Sequence, residues 1–363
     1  MNEIRNKRFL IVNPFGIGDV LFTTPIIEAI KKESADNYIG YICNIRTAPL
    51  LSSNPNVNKV FVYEKDEYRN LWKESKTGCI KKFSSFLREV KGEKFDTAFD
   101  LSMAKGSGFF LKLAGIGGRI GYNYKNRGIF LTARINLKGG YSEKHMAEYY
   151  KDLLPLAGIS IPEKHPLNIY IPDENKKNAD RLLAENGISG DELFIAMAPG
   201  GGASWGGTSF RKHWKKDGFA EVARLICGDK GMKLLLLGSS SDKPICDYIH
   251  SREIRTIDLC AKTGLLEFAA IVKRSKLLLT NDGGPLHVGV ATGTKTVSIF
   301  GPVDDKVYGP YPLSDRHLVI KNKDIDCRPC YRNFKIPKCE GLECLEDIAA
   351  ETVMDAIKKG LAE

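Results

Sequence analysis

Apolar residues along this chain come in short runs separated by glycine, proline and polar residues, and the runs alternate with stretches of helical spacing. Arg8-Phe9-Leu10-Ile11-Val12-Asn13 reads as a strand buried on both faces. The turn Pro14-Phe15-Gly16-Ile17-Gly18-Asp19 follows it. From 20 to 32 the apolar positions then repeat as in a helix, with Pro25 in its first turn or marking a kink. Further strands are predicted at 38–43, 60–63 and 97–101, while 111–140, rich in glycine and basic residues, predicts loops with short strands. Helical spacing returns at 145–157, and a proline-punctuated stretch at 162–172 suits a linker. The second half repeats the scheme: a helix at 173–186, a strand at 194–198, the turn Pro199-Gly200-Gly201-Gly202, a helix at 217–227 and a strand at 233–237. A helix at 265–274, a strand at 276–280, the turn Asn281-Asp282-Gly283-Gly284-Pro285, a helix at about 286–291 and a final strand at 296–300 complete it. Strands alternating with helices in both halves predict an α/β protein of two Rossmann-like domains, with parallel sheets facing a central cleft. The expected division is 1–165, 166–345 and a C-terminal helix at 346–363.

Length agrees with that division, since 363 residues exceed one ordinary core. A hydrophobic content of 43% argues against disorder, and no apolar run is long enough to span a bilayer. The apolar stretch 9–12 is too short for a signal peptide, so a cytoplasmic location is expected. The net charge of +10 matters less than its placement. Residues 1–165 hold 26 Lys and Arg against 17 Asp and Glu, whereas the rest are nearly balanced. Within 101–142 stand seven basic residues, among them Lys105, Arg119, Lys125 and Arg127, and no acidic one. Such a field suits a polyanion or an anionic membrane surface, or belongs simply to a basic, soluble protein. No nucleic-acid motif accompanies it, so nucleic acid is not an expected partner.

Four of the nine cysteines crowd one late segment, Cys327, Cys330, Cys339 and Cys344. Their spacing admits a zinc site, but its loops are irregular and contain no histidine; reduced structural thiols are the plainer reading.

Glycine-rich turns at strand ends are where open α/β sheets bind ligands. In Asn281-Asp282-Gly283-Gly284-Pro285-Leu286-His287, glycines admit close backbone approach and the following helix offers N–H groups to a phosphate, although Asp282 could be an ordinary cap. Gly200, Gly201 and Ser204, with Arg211 or Lys212 downstream, make a second phosphate-like loop. Together the two turns favour a nucleotide-diphosphate site. Gly16-Ile17-Gly18-Asp19 fails the dinucleotide fingerprint because Leu21 stands where glycine is needed. Asp19 reads equally well as a helix cap or as a carboxylate base. Asp324-Ile325-Asp326 matches a metal-binding pattern but lies in a charged stretch and reads as chance. Neither a nucleophile elbow nor a P-loop is present.

Taken together, FLIVNPFGIGDVLFTTPIIEAIKK, GGRIGYNYKNRGIFLTARI, HMAEYYKDLLPLAGI, IAMAPGGGASWGGTSFRKHW, DLCAKTGLLEFAAIVKRSKLLLTNDGGPLHVGVATGTKTVSIFGPVD and the late CRPC resemble glycosyltransferase family 9, the bacterial ADP-heptose:lipopolysaccharide heptosyltransferases, across nearly the whole chain. The late cysteines are more like the second heptosyltransferase branch. The resemblance implies a GT-B fold, with an N-terminal acceptor domain and a C-terminal nucleotide-sugar domain. It also implies an inverting reaction that needs no metal or other cofactor, an ADP-sugar donor, and an anionic glycolipid acceptor met at the cytoplasmic face of the inner membrane. By position, Asp19 would be the base and Lys212 would neutralise the leaving diphosphate. Thr263, Asp282, Gly283, Gly284 and His287 would line the donor site, and Gly18 with the cations at 105, 119, 125 and 127 would hold the acceptor. Two departures stand out: His213 follows Lys212 where the family often has arginine, and Gly283 replaces the usual serine. Rival readings are a transferase using another nucleotide sugar, a non-catalytic sugar-nucleotide or envelope-lipid binder, and a nucleotide-sugar 2-epimerase. A nicotinamide dehydrogenase is disfavoured by the failed fingerprint.

Overall fold

The computed structural model describes residues 4–161, 163, 166–202, 205–228, 232–336, 338–339 and 341–362. Contacts divide them into two units, one of 1–140 with 146–165 and one of 141–145 with 166–363. Each unit is built on a six-stranded parallel sheet.

The first sheet contains β1 (Arg8–Val12), β2 (Tyr38–Cys43), β3 (Lys59–Val62), β4 (Thr97–Asp100), β5 (Gly118–Tyr124) and β6 (Ala133–Leu137), in the order β3-β2-β1-β4-β5-β6. Chain direction across the sheet therefore switches between β1 and β4, where Val12 pairs with Asp100. The second sheet contains β7 (Phe194–Ala198), β8 (Lys233–Leu236), β9 (Ile257–Asp258), β10 (Leu277–Asn281), β11 (Lys295–Ile299) and β12 (His317–Ile320), in the order β12-β11-β10-β7-β8-β9. This is the same arrangement seen from the other edge, with its switch between β7 and β10. Central strands lie between helical layers and must be apolar on both faces, and every residue of β7 and β10 is buried. Helix Leu265–Arg274 buries Leu266, Phe268, Ala269, Ala270, Ile271 and Val272. The C-terminal helix Ala350–Ala362 packs Val353 and Ile357 into a separate cluster with Met197, Trp214, Phe219 and Val297.

Several elements depart from the sequence expectation. The helix expected over 20–32 is two, Ile17–Leu21 and Thr24–Glu33. Pro25 has no N–H to return to the Leu21 carbonyl, and the Thr24 hydroxyl donates to that oxygen instead, at 2.8 Å. The supposed loops of 111–140 contain two full strands, β5 and β6. The edge strand β6 has no fully buried residue, which weakened its apolar signal. The strand at 296–300 is not the last, since β12 follows on the sheet edge. Residues 141–145 belong with the second unit: Tyr141 packs edge-on against Phe334 at 5.3 Å, and His145 stacks on Tyr311 at 4.7 Å.

Candidate active site

In the second unit the glycine turns after β7 and β10 meet at the switch point, where ligands of such sheets bind. Asn281, the last residue of β10, ties the surrounding chain together. Its Nδ2 donates to the Pro199 carbonyl at 2.5 Å, and its Oδ1 accepts from the Trp214 N–H at 3.0 Å. The Thr280 hydroxyl donates to the Ala198 carbonyl at 2.9 Å. The two turns approach so closely that a side chain at Gly283 would overlap the Gly201 carbonyl oxygen. Glycine is required there by space, since the Gly283 backbone is extended. Gly201 and Gly202 have φ of +65° and +86°, in the left-handed region that suits glycine. Gly200 rests on Asp242, whose Oδ2 accepts from the backbone N–H and the hydroxyl of Ser239 at 2.8 and 2.7 Å. Gly284 then opens the helix Gly284–Ala291, whose N-terminus points its free N–H groups at this turn.

Lys212 stands at the centre. It ends a 3-10 turn, Gly206–Lys212, which is anchored two residues later by buried Trp214, whose indole donates to the Ile348 carbonyl at 3.1 Å. Lys212 Nζ lies 2.8 Å from Asp282 Oδ2, with both side chains buried, and 5.2 Å from the centre of the Trp205 ring. Trp205 in turn packs against Tyr331 at 4.9 Å, and Tyr331 against Tyr308 at 5.9 Å. Burial drives His287 well below the ordinary 6.5, with the positive charges of His145 and Lys212 adding to the effect. It is therefore a neutral imidazole near pH 7, able to hydrogen-bond but supplying no charge. Lys212 supplies this site with a buried cation, and its charge is balanced by the Asp282 carboxylate. Thr263 is half-buried just ahead of the helix Leu265–Arg274, beyond the end of β9. Ser204 lies outside the described residues.

The first unit carries a different apparatus at its own switch point. Asp19 sits in the short helix Ile17–Leu21, half-exposed, and its Oδ2 accepts from the Gly16 N–H at 3.0 Å. Asn13 holds the same turn by donating to the Asp19 carbonyl at 2.9 Å. Gly18 is buried in that helix. At the end of the neighbouring β4, burial pushes the Asp100 carboxyl up to about 6, against hydrogen bonds from Ser102. Lys105, Lys125 and Arg127 are exposed. Arg119 is engaged inward: its guanidinium donates to the carbonyls of Phe130, Ile116 and Gly117 at 2.7, 2.5 and 3.2 Å.

Sequence reasoning did not single out Asn281, Asp242, Asp100 or Trp205. Asn281 and Trp205 were visible inside quoted motifs but had no partner to reveal their roles. The four late cysteines are unbridged. Cys344 is raised to about 11 by burial and the neighbouring thiols. Among the described residues, no group of three or more His, Cys, Asp or Glu is placed to hold a metal ion.

The model of glycosyltransferase family 9 (heptosyltransferase) matches residues 83–339. The chain belongs to glycosyltransferase family 9. It is 25% identical over 321 residues to lipooligosaccharide heptosyltransferase 2 of Haemophilus influenzae, covering 86% of this chain and 88% of that one. Among solved structures, a family 9 glycosyltransferase from Veillonella parvula superposes with a TM-score of 0.80 at 24% identity, covering 99% and 98% of the two chains. The ADP-heptose lipopolysaccharide heptosyltransferase II of E. coli does so with a TM-score of 0.74 at 21% identity, covering 98% of each. The two sheets are thus those of a GT-B glycosyltransferase, as the resemblance in sequence implied, and the chain is an enzyme of that class. Among the described residues no helix is long and apolar enough to cross a membrane.

Proposed function

We propose that this family 9 glycosyltransferase moves a heptose from an ADP-sugar to the inner core of lipopolysaccharide, or to a related envelope glycolipid, at the cytoplasmic face of the inner membrane. The observation that carries the reading is the buried Lys212–Asp282 pair between two glycine turns at the switch point of the second sheet. It supports a diphosphate site with one fixed cation; similarity to lipooligosaccharide heptosyltransferase 2 supports a heptose, and likeness to the ADP-heptose heptosyltransferase II of E. coli supports ADP as its carrier.

In this reading 166–345 holds the donor and 1–165 the acceptor. Gly200, Gly201 and the N–H groups of Gly283 and Gly284 surround the diphosphate, Thr263 lies on the nucleotide side, and Asp282 and His287 face the sugar. The acceptor, approached through Gly18, is held by Lys105, Lys125 and Arg127, while Arg119 braces the chain between them. The acceptor hydroxyl attacks the anomeric carbon from the face opposite ADP, so the configuration inverts. The new C–O bond forms as the bond to the β-phosphate oxygen breaks. The hydroxyl proton passes to the Asp19 carboxylate, and the electron pair of the broken bond stays on the phosphate beside Lys212. No metal or cofactor takes part in this scheme.

Calorimetric titration with ADP, UDP, GDP and ADP-heptose, without added metal, tests the donor. Selective binding of ADP and ADP-heptose supports the reading. Preference for UDP or GDP keeps the transferase and discards heptose, and no binding at all discards the donor site.

A further inference from the structure

The basic stretch 101–142 also has an apolar side, for which the transfer reaction has no use. Helix Lys105–Leu113 follows β4 and buries Gly108, Phe110 and Leu111. Phe109 and Leu113, four positions apart and so on one helix face, remain 45% and 42% exposed. Beside Phe109 stands Phe130, from the connection between β5 and β6, with ring centroids 5.2 Å apart. Its neighbour Ile129 is 51% exposed.

These residues are rigidly mounted. Gly108 lets the helix lie close to Phe130, since even a methyl group there would come within 3.2 Å of the Phe130 Cβ. Arg119 Nε holds the Phe130 carbonyl at 2.7 Å, and the Arg134 guanidinium holds that of Gly128 at 3.0 Å. The rim is cationic. Lys105 and Lys112 are exposed on the same helix, with Lys112 Nζ 5.9 Å from the Phe130 ring centre, and exposed Lys125 and Arg127 precede Ile129.

Single exposed apolar side chains are ordinary; a packed Phe109–Phe130 pair with Leu113 on the same helix face, Ile129 next along the chain, a lysine beside the ring and no carboxylate in the whole stretch is not. Nucleic acid would use the cations but has no place for Leu113 and Ile129. A stable protein partner needs about 800 Å² per side, more than four side chains supply. An anionic bilayer matches both parts, headgroups for the cations and the acyl boundary for the apolar tips.

We propose that Phe109, Leu113, Ile129 and Phe130 form a seat that dips into an anionic lipid surface, with Lys105, Lys112 and Arg127 at the level of the headgroups. This deepens the acceptor assignment above, because it fixes which face of the first unit meets the lipid that carries the acceptor.

The test is cosedimentation of the full chain with acceptor-free vesicles of phosphatidylethanolamine and phosphatidylglycerol, and with phosphatidylcholine vesicles. The wild type should bind the anionic vesicles, and part of that binding should survive high salt. The double variant Phe109→Ser/Leu113→Ser should bind them about tenfold more weakly, and salt should release what remains. Lys112→Glu should weaken binding at low salt only. With a delipidated, water-soluble acceptor, the double variant should transfer at the wild-type rate and melt at the wild-type temperature. Equal binding of the double variant and the wild type would overturn the seat, as would failure of the wild type to bind anionic vesicles. Loss of transfer to the soluble acceptor in a folded double variant would overturn it too, by placing the patch in the reaction site. A wild type that binds vesicles as expected but transfers nothing would remove the transferase reading and leave the seat standing.

Discussion

The two switch points of this protein share a strand order and differ in almost everything else. Between β7 and β10 the chain makes two glycine turns so close that one leaves no room for a side chain on the other, and a buried ion pair sits between them. At the β1–β4 switch point, β1 leads into a short helix capped by its own aspartate, and β4 ends in a buried carboxyl. One turn presents backbone and a buried cation, the other acidic side chains; the proposed donor and acceptor roles rest on that difference. Topology says where a ligand binds; the loops say which.

Removing the acid from one side and the cation from the other tests that contrast most sharply. Asp19→Ala should lower the transfer rate about 10²–10⁴-fold while calorimetric ADP binding stays as in the wild type. Unchanged transfer would show that Asp19 is only a cap. Lys212→Met should lower kcat about 10²–10³-fold. It should also weaken ADP binding and, by leaving Asp282 buried without its partner, destabilise the fold by about 3–5 kcal/mol. The double change Lys212→Met/Asp282→Leu should recover most of that stability in urea unfolding and none of the transfer. Gly283→Ala should weaken ADP binding about tenfold or more, because its side chain must displace the Gly201 carbonyl.

The two sites also differ in how they make stability depend on pH, and the sign is opposite. His287 is depressed in the folded chain, so below pH 6.5 the unfolded chain takes up a proton that the folded one refuses, and stability falls as pH falls. Asp100 is raised to about 6 from an ordinary 3.8, so its contribution is fully present below 3.8 and is lost as pH rises through 6. Asp100→Asn should therefore gain up to about 2–3 kcal/mol at pH 7.5 and nothing near pH 4. His287→Gln should flatten the acid side. Urea unfolding at pH 5 and pH 7.5 reads both, and an acid-side loss that persists in His287→Gln would assign it to another group.

Much of the architecture was visible in local pattern. Buried parallel strands announce themselves as unbroken apolar runs, as in 9–12, 194–198 and 277–279, because both faces must be apolar. The weak signals were at sheet edges, where β6 and β12 bury less and the run is interrupted. The glycine turns were equally legible, since close approach and left-handed backbone leave few other residues possible. What Arg119 does was not legible, because a guanidinium looks the same in sequence whether it faces solvent or, as here, three carbonyls.

By itself, then, the chain's sequence determined the α/β class, the strand-turn-helix units, the basic first half and the family. Each depends on neighbours in sequence or on several motifs kept in order. Only the tertiary structure decided that Lys212 pairs with Asp282, that Asn281 ties the Pro199 turn to Trp214, and that 141–145 belong with the second unit. Those contacts depend on crossovers that bring distant strand ends to one edge of a sheet, and a pattern read residue by residue has no term for distance in space.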